Sequence, residues 1–116
     1  KNEEPDLLIG SSMGGYFAMA LATHTGIPVL VFNPAIHSRS IEIKGLESGS
    51  EKLTGLVVLG KKDEVINPGP TISMLQGTQN TLDINIEKEM GHRVPLDVFI
   101  DMYNKIAYNG ENRHTN

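Results

Sequence analysis

Three short, uninterrupted runs of mostly branched apolar residues constrain this chain most, because each one stops at a turn signal. Asp6-Leu7-Leu8-Ile9 runs into Gly10, Pro28-Val29-Leu30-Val31-Phe32 into Asn33-Pro34, and Leu56-Val57-Val58-Leu59 into Gly60. A strand with one wet face alternates apolar and polar residues. A continuous run marks a strand covered on both faces, as in a parallel sheet flanked by helices. The runs are too short to be buried helices. A fourth segment, Leu82-Asp83-Ile84-Asn85-Ile86-Glu87, alternates strictly and predicts a strand with one solvated face near a sheet edge.

Helical patterns lie between these runs. Residues 13–24 are rich in Ala, carry Phe17, Ala18, Leu21 and Ala22 on one stripe, and end at Gly26. From Pro95 onward, Leu96, Phe99, Ile100, Tyr103, Ile106 and Ala107 keep helical spacing, with Pro95 suited to the first turn and Gly110 to the exit. Residues 70–76 predict a short helix with Ile72 and Leu75 facing inward. Residues 37–55 are polar and read as a loop or a short covering excursion. The alternation of strand and helix predicts a three-layer α/β domain with a mostly parallel sheet. At 116 residues the chain suffices for one such domain, spanning 1–116, and not for two.

Composition excludes several function classes. Fourteen acidic residues against ten scattered basic ones, a formal net charge of −4, give no electrostatic footprint for nucleic acid. There is no cysteine, hence no disulfide framework and no thiolate metal site. No apolar run approaches the roughly 18 residues of a membrane span, and Lys1-Asn2-Glu3-Glu4-Pro5 does not open a signal peptide. The expectation is a soluble, cytoplasmic protein with neither nucleic-acid nor membrane partners.

The first run ends in Gly10-Ser11-Ser12-Met13-Gly14, a Gly-x-Ser-x-Gly pattern. A serine hydroxyl is a poor nucleophile until a base lies within hydrogen-bond reach and a third group orients that base. A sharp strand-to-helix turn exposes it, and the strained backbone there requires neighbours two residues away to lack bulky side chains. Gly10 and Gly14 meet that need, while Gly15 and Ala18 let the next helix approach the strand. The pattern alone is weak, since an ordinary glycine-rich turn produces it. Its place between a predicted strand and a predicted helix supports a nucleophile elbow with Ser12 as nucleophile and the Met13 N–H as an oxyanion donor. The Gly-Lys-Ser/Thr ending of a phosphate loop is absent, as is a dinucleotide fingerprint.

Asp63 follows the third strand, in Gly60-Lys61-Lys62-Asp63-Glu64, where open α/β sheets keep catalytic groups. Glu64 is a rival carboxylate, and a solvated turn aspartate is the plain alternative. His92, in Met90-Gly91-His92-Arg93, follows the fourth strand. His24 ends a helix, His37 opens the polar excursion, and His114 is expected in a frayed C-terminal tail. None has ligand-pair spacing, so no metal site is expected, and a serine mechanism needs no organic cofactor. Ser12, Asp63 and His92 occur in the order Ser, Asp, His, each after a predicted strand, which is the order of α/β-hydrolases.

Residues 5–18, Pro-Asp-Leu-Leu-Ile-Gly-Ser-Ser-Met-Gly-Gly-Tyr-Phe-Ala, resemble the elbow of small α/β-hydrolases and, more narrowly, of the YqiA-like esterase family. Val31-Phe32-Asn33-Pro34-Ala35-Ile36 resembles that family's Asn-Pro-Ala segment, residues 60–65 its acid-bearing loop, and Gly91-His92 its histidine loop. The resemblance implies hydrolysis of short acyl esters or thioesters without a cofactor, with Ser12 as nucleophile, His92 as base and Asp63 as orienting acid. An aromatic residue usual soon after the histidine is replaced by Arg93-Val94-Pro95, which leaves substrate preference open. The family also begins with strands that precede the elbow and supply a second oxyanion donor. The expectation is therefore a partial α/β-hydrolase domain whose exposed sheet flank pairs with a second copy or with its own missing half. A catalytically weak relative, acting as a binding or assembly protein, is the alternative function.

Overall fold

The computed structural model describes residues 6–36, 52–76 and 80–114. Strand β1 (Leu8–Ser11) leads into helix α1 (Met13–Thr25), and β2 (Val29–Phe32) follows. After the polar stretch come β3 (Leu53–Gly60), α2 (Pro68–Gln76), β4 (Asn80–Glu87) and α3 (Leu96–His114). The strands form one sheet in the order β1-β2-β3-β4, with every neighbouring pair parallel. The alternating segment is thus the edge strand its pattern predicts. β3 is longer than its apolar run, taking in Leu53, Thr54 and Gly55 from the stretch read as loop. Most of that stretch, residues 37–51, lies outside the described residues.

The continuous runs are explained by the two faces of the sheet. Side chains alternate along a strand, so Val29, Val31, Val57 and Leu59 face one way, where Tyr16, Ala18, Met19 and Ala22 of α1 and Leu75 of α2 pack on them. Leu30, Phe32, Leu56 and Val58 face the other way, with Met90 and the α3 residues Phe99, Met102 and Ile106. The Phe32 and Phe99 rings lie 5.6 Å apart. Fully burying each such side chain contributes about 1.5–3 kcal/mol, so β2 and β3 anchor the domain.

Two helical expectations need correction. The buried face of α1 is Gly15, Tyr16, Ala18, Met19, Ala22 and Thr23, whereas Phe17 and Leu21 are exposed. Apolar and small residues surround this helix, so periodicity does not select its inner face. Contact with the sheet does, favouring small residues at the close approach. Helix α3 also passes through Gly110 to His114. A helical glycine costs only about 1 kcal/mol and does not by itself stop a helix. Gly26, by contrast, ends α1 as expected, in the left-handed conformation with its N–H donating to the Ala22 carbonyl. The short helix begins at Pro68 and buries Leu75 and Thr71.

Among the described residues β1 is the other outer strand of the sheet, with Ile9 exposed on it. Among the described residues no helix is long and apolar enough to cross a membrane.

Candidate active site

Ser12 is the single residue between β1 and α1. Its backbone lies at φ 56°, ψ −121°, a region costly to any residue with a side chain, by about 1–3 kcal/mol. Backbone hydrogen bonds hold it there. The Ser12 N–H donates to the Phe32 carbonyl at 2.9 Å, and the Ser12 carbonyl accepts from the N–H groups of Ala35 at 3.0 Å and Tyr16 at 3.2 Å. Serine before a helix usually caps it through its hydroxyl, but here no side-chain cap bond forms. The hydroxyl is not committed to the helix. Met13, the first residue of α1, presents an N–H for which the helix has no acceptor.

The two elbow glycines are not equivalent. A Cβ on Gly10 would collide with the backbone of Gly14 and Gly15, whereas one on Gly14 would meet open space. The steric demand read from the motif therefore holds at Gly10 and not at Gly14. Gly10→Ala is expected to destabilise the fold by about 1–3 kcal/mol, the usual cost of overpacking, whereas Gly14→Ala, with room for the methyl on an exposed helical position, is expected to be neutral or slightly stabilising. Thermal unfolding of both variants checks this, and equal losses would contradict it.

Asp63 and His92 are brought together. The His92 Nδ1–H donates to Asp63 Oδ2 at 3.0 Å, with the Asp63 side chain wholly buried and that of His92 30% exposed. The other Asp63 oxygen accepts from the N–H groups of Val65 and Ile66, each at 2.8 Å. Three donors converging on one buried carboxylate fix its orientation. With the Nδ1 proton turned to the carboxylate, Nε2 is left as the basic nitrogen. Glu64, the rival, is exposed. Among the other histidines, His24 is exposed at the end of α1, His37 lies outside the described residues, and His114 closes α3.

The loops carrying the pair are joined to each other. The Lys61 N–H donates to the Glu87 carbonyl and the Lys62 N–H to the Met90 carbonyl, each at 3.0 Å. A Cβ on Gly60 would collide with the Met90 and Gly91 carbonyl oxygens, so only glycine permits this approach. At the surface, Lys62 Nζ meets Glu89 Oε1 at 2.6 Å. This hydrogen bond, with the lysine charge, holds the Glu89 carboxyl below its ordinary range. Both side chains are solvated, so the pair adds little.

Ser12, Asp63 and His92 all lie beyond the C-terminal ends of their parallel strands, at one end of the sheet. Among the described residues no hydrogen bond joins Ser12 to His92. One residue outside the expected set binds the arrangement together. Asn33, fully buried at the end of β2, donates from Nδ2 to the Gly91 and His92 carbonyls, each at 3.2 Å, and accepts the Gly60 N–H on Oδ1 at 2.8 Å. The histidine loop therefore reaches back over β3 to the tip of β2, one strand from Ser12. The sequence signal for Asn33 was an amide side chain closing a strand buried on both faces. Among the described residues no three histidine, aspartate or glutamate side chains group as a metal site requires.

Residues 1–48 match the profile of an Uncharacterised protein family (UPF0227). No curated protein matches the chain significantly. Similar solved structures include acetyl xylan esterase 1 from Thermoanaerobacterium sp., at 20% identity and a TM-score of 0.64, over 86% of this chain and 44% of that one. An alpha-beta serine hydrolase homologue from Coxiella burnetii matches at 17% identity and a TM-score of 0.66, over 89% and 48%. SOBER1 from Arabidopsis thaliana matches at 16% identity and a TM-score of 0.66, over 91% and 55%. These likenesses show the α/β-hydrolase fold. The chain spans about half the length of the structures it matches.

Proposed function

We propose that this chain carries the catalytic edge of a serine esterase or thioesterase acting on short acyl esters, with Ser12 as nucleophile, His92 as base and Asp63 as orienting acid. The observation that supports it is the buried Asp63 carboxylate on His92 Nδ1, set at the same end of the sheet as a strained serine whose hydroxyl the helix does not use. In this reading Nε2 of His92 takes the hydroxyl proton as Ser12 attacks the ester carbonyl carbon. The imidazolium then returns that proton to the leaving alkoxide or thiolate. Water, activated by the same nitrogen, frees the acid from the acyl-enzyme. The Met13 N–H meets the developing oxyanion. Catalytic hydrogen bonds are often long before substrate binds, so an open Ser12–His92 gap is compatible with this chemistry. The chain is expected to hydrolyse 4-nitrophenyl acetate or butyrate and to be labelled by a fluorophosphonate. Failure of both in a folded sample would refute the reading.

The lack, among the described residues, of a hydrogen bond from Ser12 to His92 favours a second reading, a hydrolase-fold protein without turnover that acts in binding or assembly. A folded chain that binds a partner but neither labels nor hydrolyses would establish it. A cytoplasmic setting belongs to the same proposal, and a chain without cysteine fits it. The exposed Ile9 at the free edge of β1 supports association with a second copy across that flank. Light scattering is then expected to give a mass above the 12.7 kDa of one chain, and a strictly monomeric folded sample would count against association.

A further inference from the structure

We propose that Asn33 is a positioning residue that sets the reach between the nucleophile and the base, an inference that rests on the catalytic reading of Ser12, Asp63 and His92. Its side chain is fully buried and all its bonds cross between strand ends, to residues 27, 58 and 59 positions away. An asparagine amide has two N–H donors and one carbonyl oxygen. Here both hydrogens go to carbonyls of the histidine loop, and the oxygen takes the N–H that opens the aspartate loop. The amide orientation is unambiguous, because flipping it would set oxygen against two carbonyls and nitrogen against an N–H.

The bonded atoms matter to the chemistry. The His92 carbonyl belongs to the base itself, so holding it fixes where the imidazole leaves the backbone. Gly60 begins the turn to Asp63, whose N–H donates to the Gly60 carbonyl at 3.1 Å. On its other side, Asn33 follows Phe32, whose carbonyl accepts the Ser12 N–H. One side chain therefore ties the aspartate and histidine loops to the strand tip that also anchors the elbow. The position suits few other residues. Its φ of 47° is left-handed, which asparagine tolerates and β-branched residues do not. An aspartate would turn an acceptor oxygen toward two carbonyls.

The test uses the whole chain with Asn33→Gly, which keeps the left-handed backbone and removes only the side chain. Two readouts separate positioning from stability. Long-range proton–nitrogen NMR of the His92 ring reports its tautomer without requiring activity. The wild-type ring is expected as the Nδ1–H form, and the variant is expected to shift toward the Nε2–H form, at temperatures where both remain folded. Fluorophosphonate labelling is expected to fall by about 10- to 100-fold, since a misplacement of about 1 Å can cost on the order of 100-fold. If Asn33→Gly only lowers the melting temperature and keeps both the tautomer and the labelling rate, the proposal is overturned. Should that variant not fold, Asn33→Asp is read by the same criteria, because it keeps the volume and the acceptor for Gly60 while losing both donors. A wild type that does not label overturns the catalytic reading, and the tautomer then decides Asn33 alone.

Discussion

Ser12→Ala is expected to abolish fluorophosphonate labelling and ester hydrolysis while leaving the chain folded. Without the hydroxyl no phosphonyl or acyl ester can form, and removal of a triad serine elsewhere costs about 10⁶-fold in turnover. The fold should tolerate the change because everything that holds residue 12 in place is backbone, namely the bonds to Phe32, Ala35 and Tyr16. Alanine keeps the strain of φ 56°; glycine relieves it. Ser12→Gly should therefore be equally inactive but more stable, by roughly 1 kcal/mol. That pairing separates function from stability, since both variants lose the hydroxyl and only the glycine relieves the backbone strain. Labelling that survives either substitution, located by mass spectrometry, would remove Ser12 from the mechanism.

Asp63→Asn should produce the second largest loss, on the order of 10⁴-fold in turnover, with little change in folding. The substitution keeps the volume of a wholly buried side chain and one oxygen for the N–H groups of Val65 and Ile66. It turns an amide N–H toward His92 Nδ1. That nitrogen must then accept, which moves the ring proton to Nε2, the atom that takes the serine proton in the proposed mechanism. Catalysis fails through the wrong tautomer while the loop survives. Steady-state kinetics beside a thermal melt decides it. A variant with near-native turnover would show that the buried pair serves only to hold the two loops together.

The four described strands, and the strand ends after which Ser12, Asp63 and His92 stand, could be read directly from residue order. Runs at 29–32 and 56–59 read as strands covered on both faces, because they carry no polar residue for a wet face and are too short for helices. The alternation from Leu82 to Glu87 put that strand at an edge. Asp63 stood out against Glu64 only weakly, since two adjacent carboxylates in a turn look alike in one dimension. Burial and the pair of N–H donors from Val65 and Ile66 separate them. The stripe assigned to α1 failed at Phe17 and Leu21 because an Ala-rich helix offers several similar faces and only the sheet selects among them.

What the sequence determined by itself is local: where strands stop, where the helix after Ser12 begins, and which residue types stand at those ends. Each follows from side-chain chemistry acting over a few positions. What the tertiary structure decided is which of those ends meet. The Asp63–His92 pair spans 29 residues, and the Asn33 bonds to the histidine loop span 58 and 59. Contacts of that range depend on parallel strands aligned in register, so that four strand tips share one end of the sheet, and no spacing along the chain encodes them. For the same reason Asn33 passed as an ordinary turn residue in the sequence and became the junction of the site only in three dimensions.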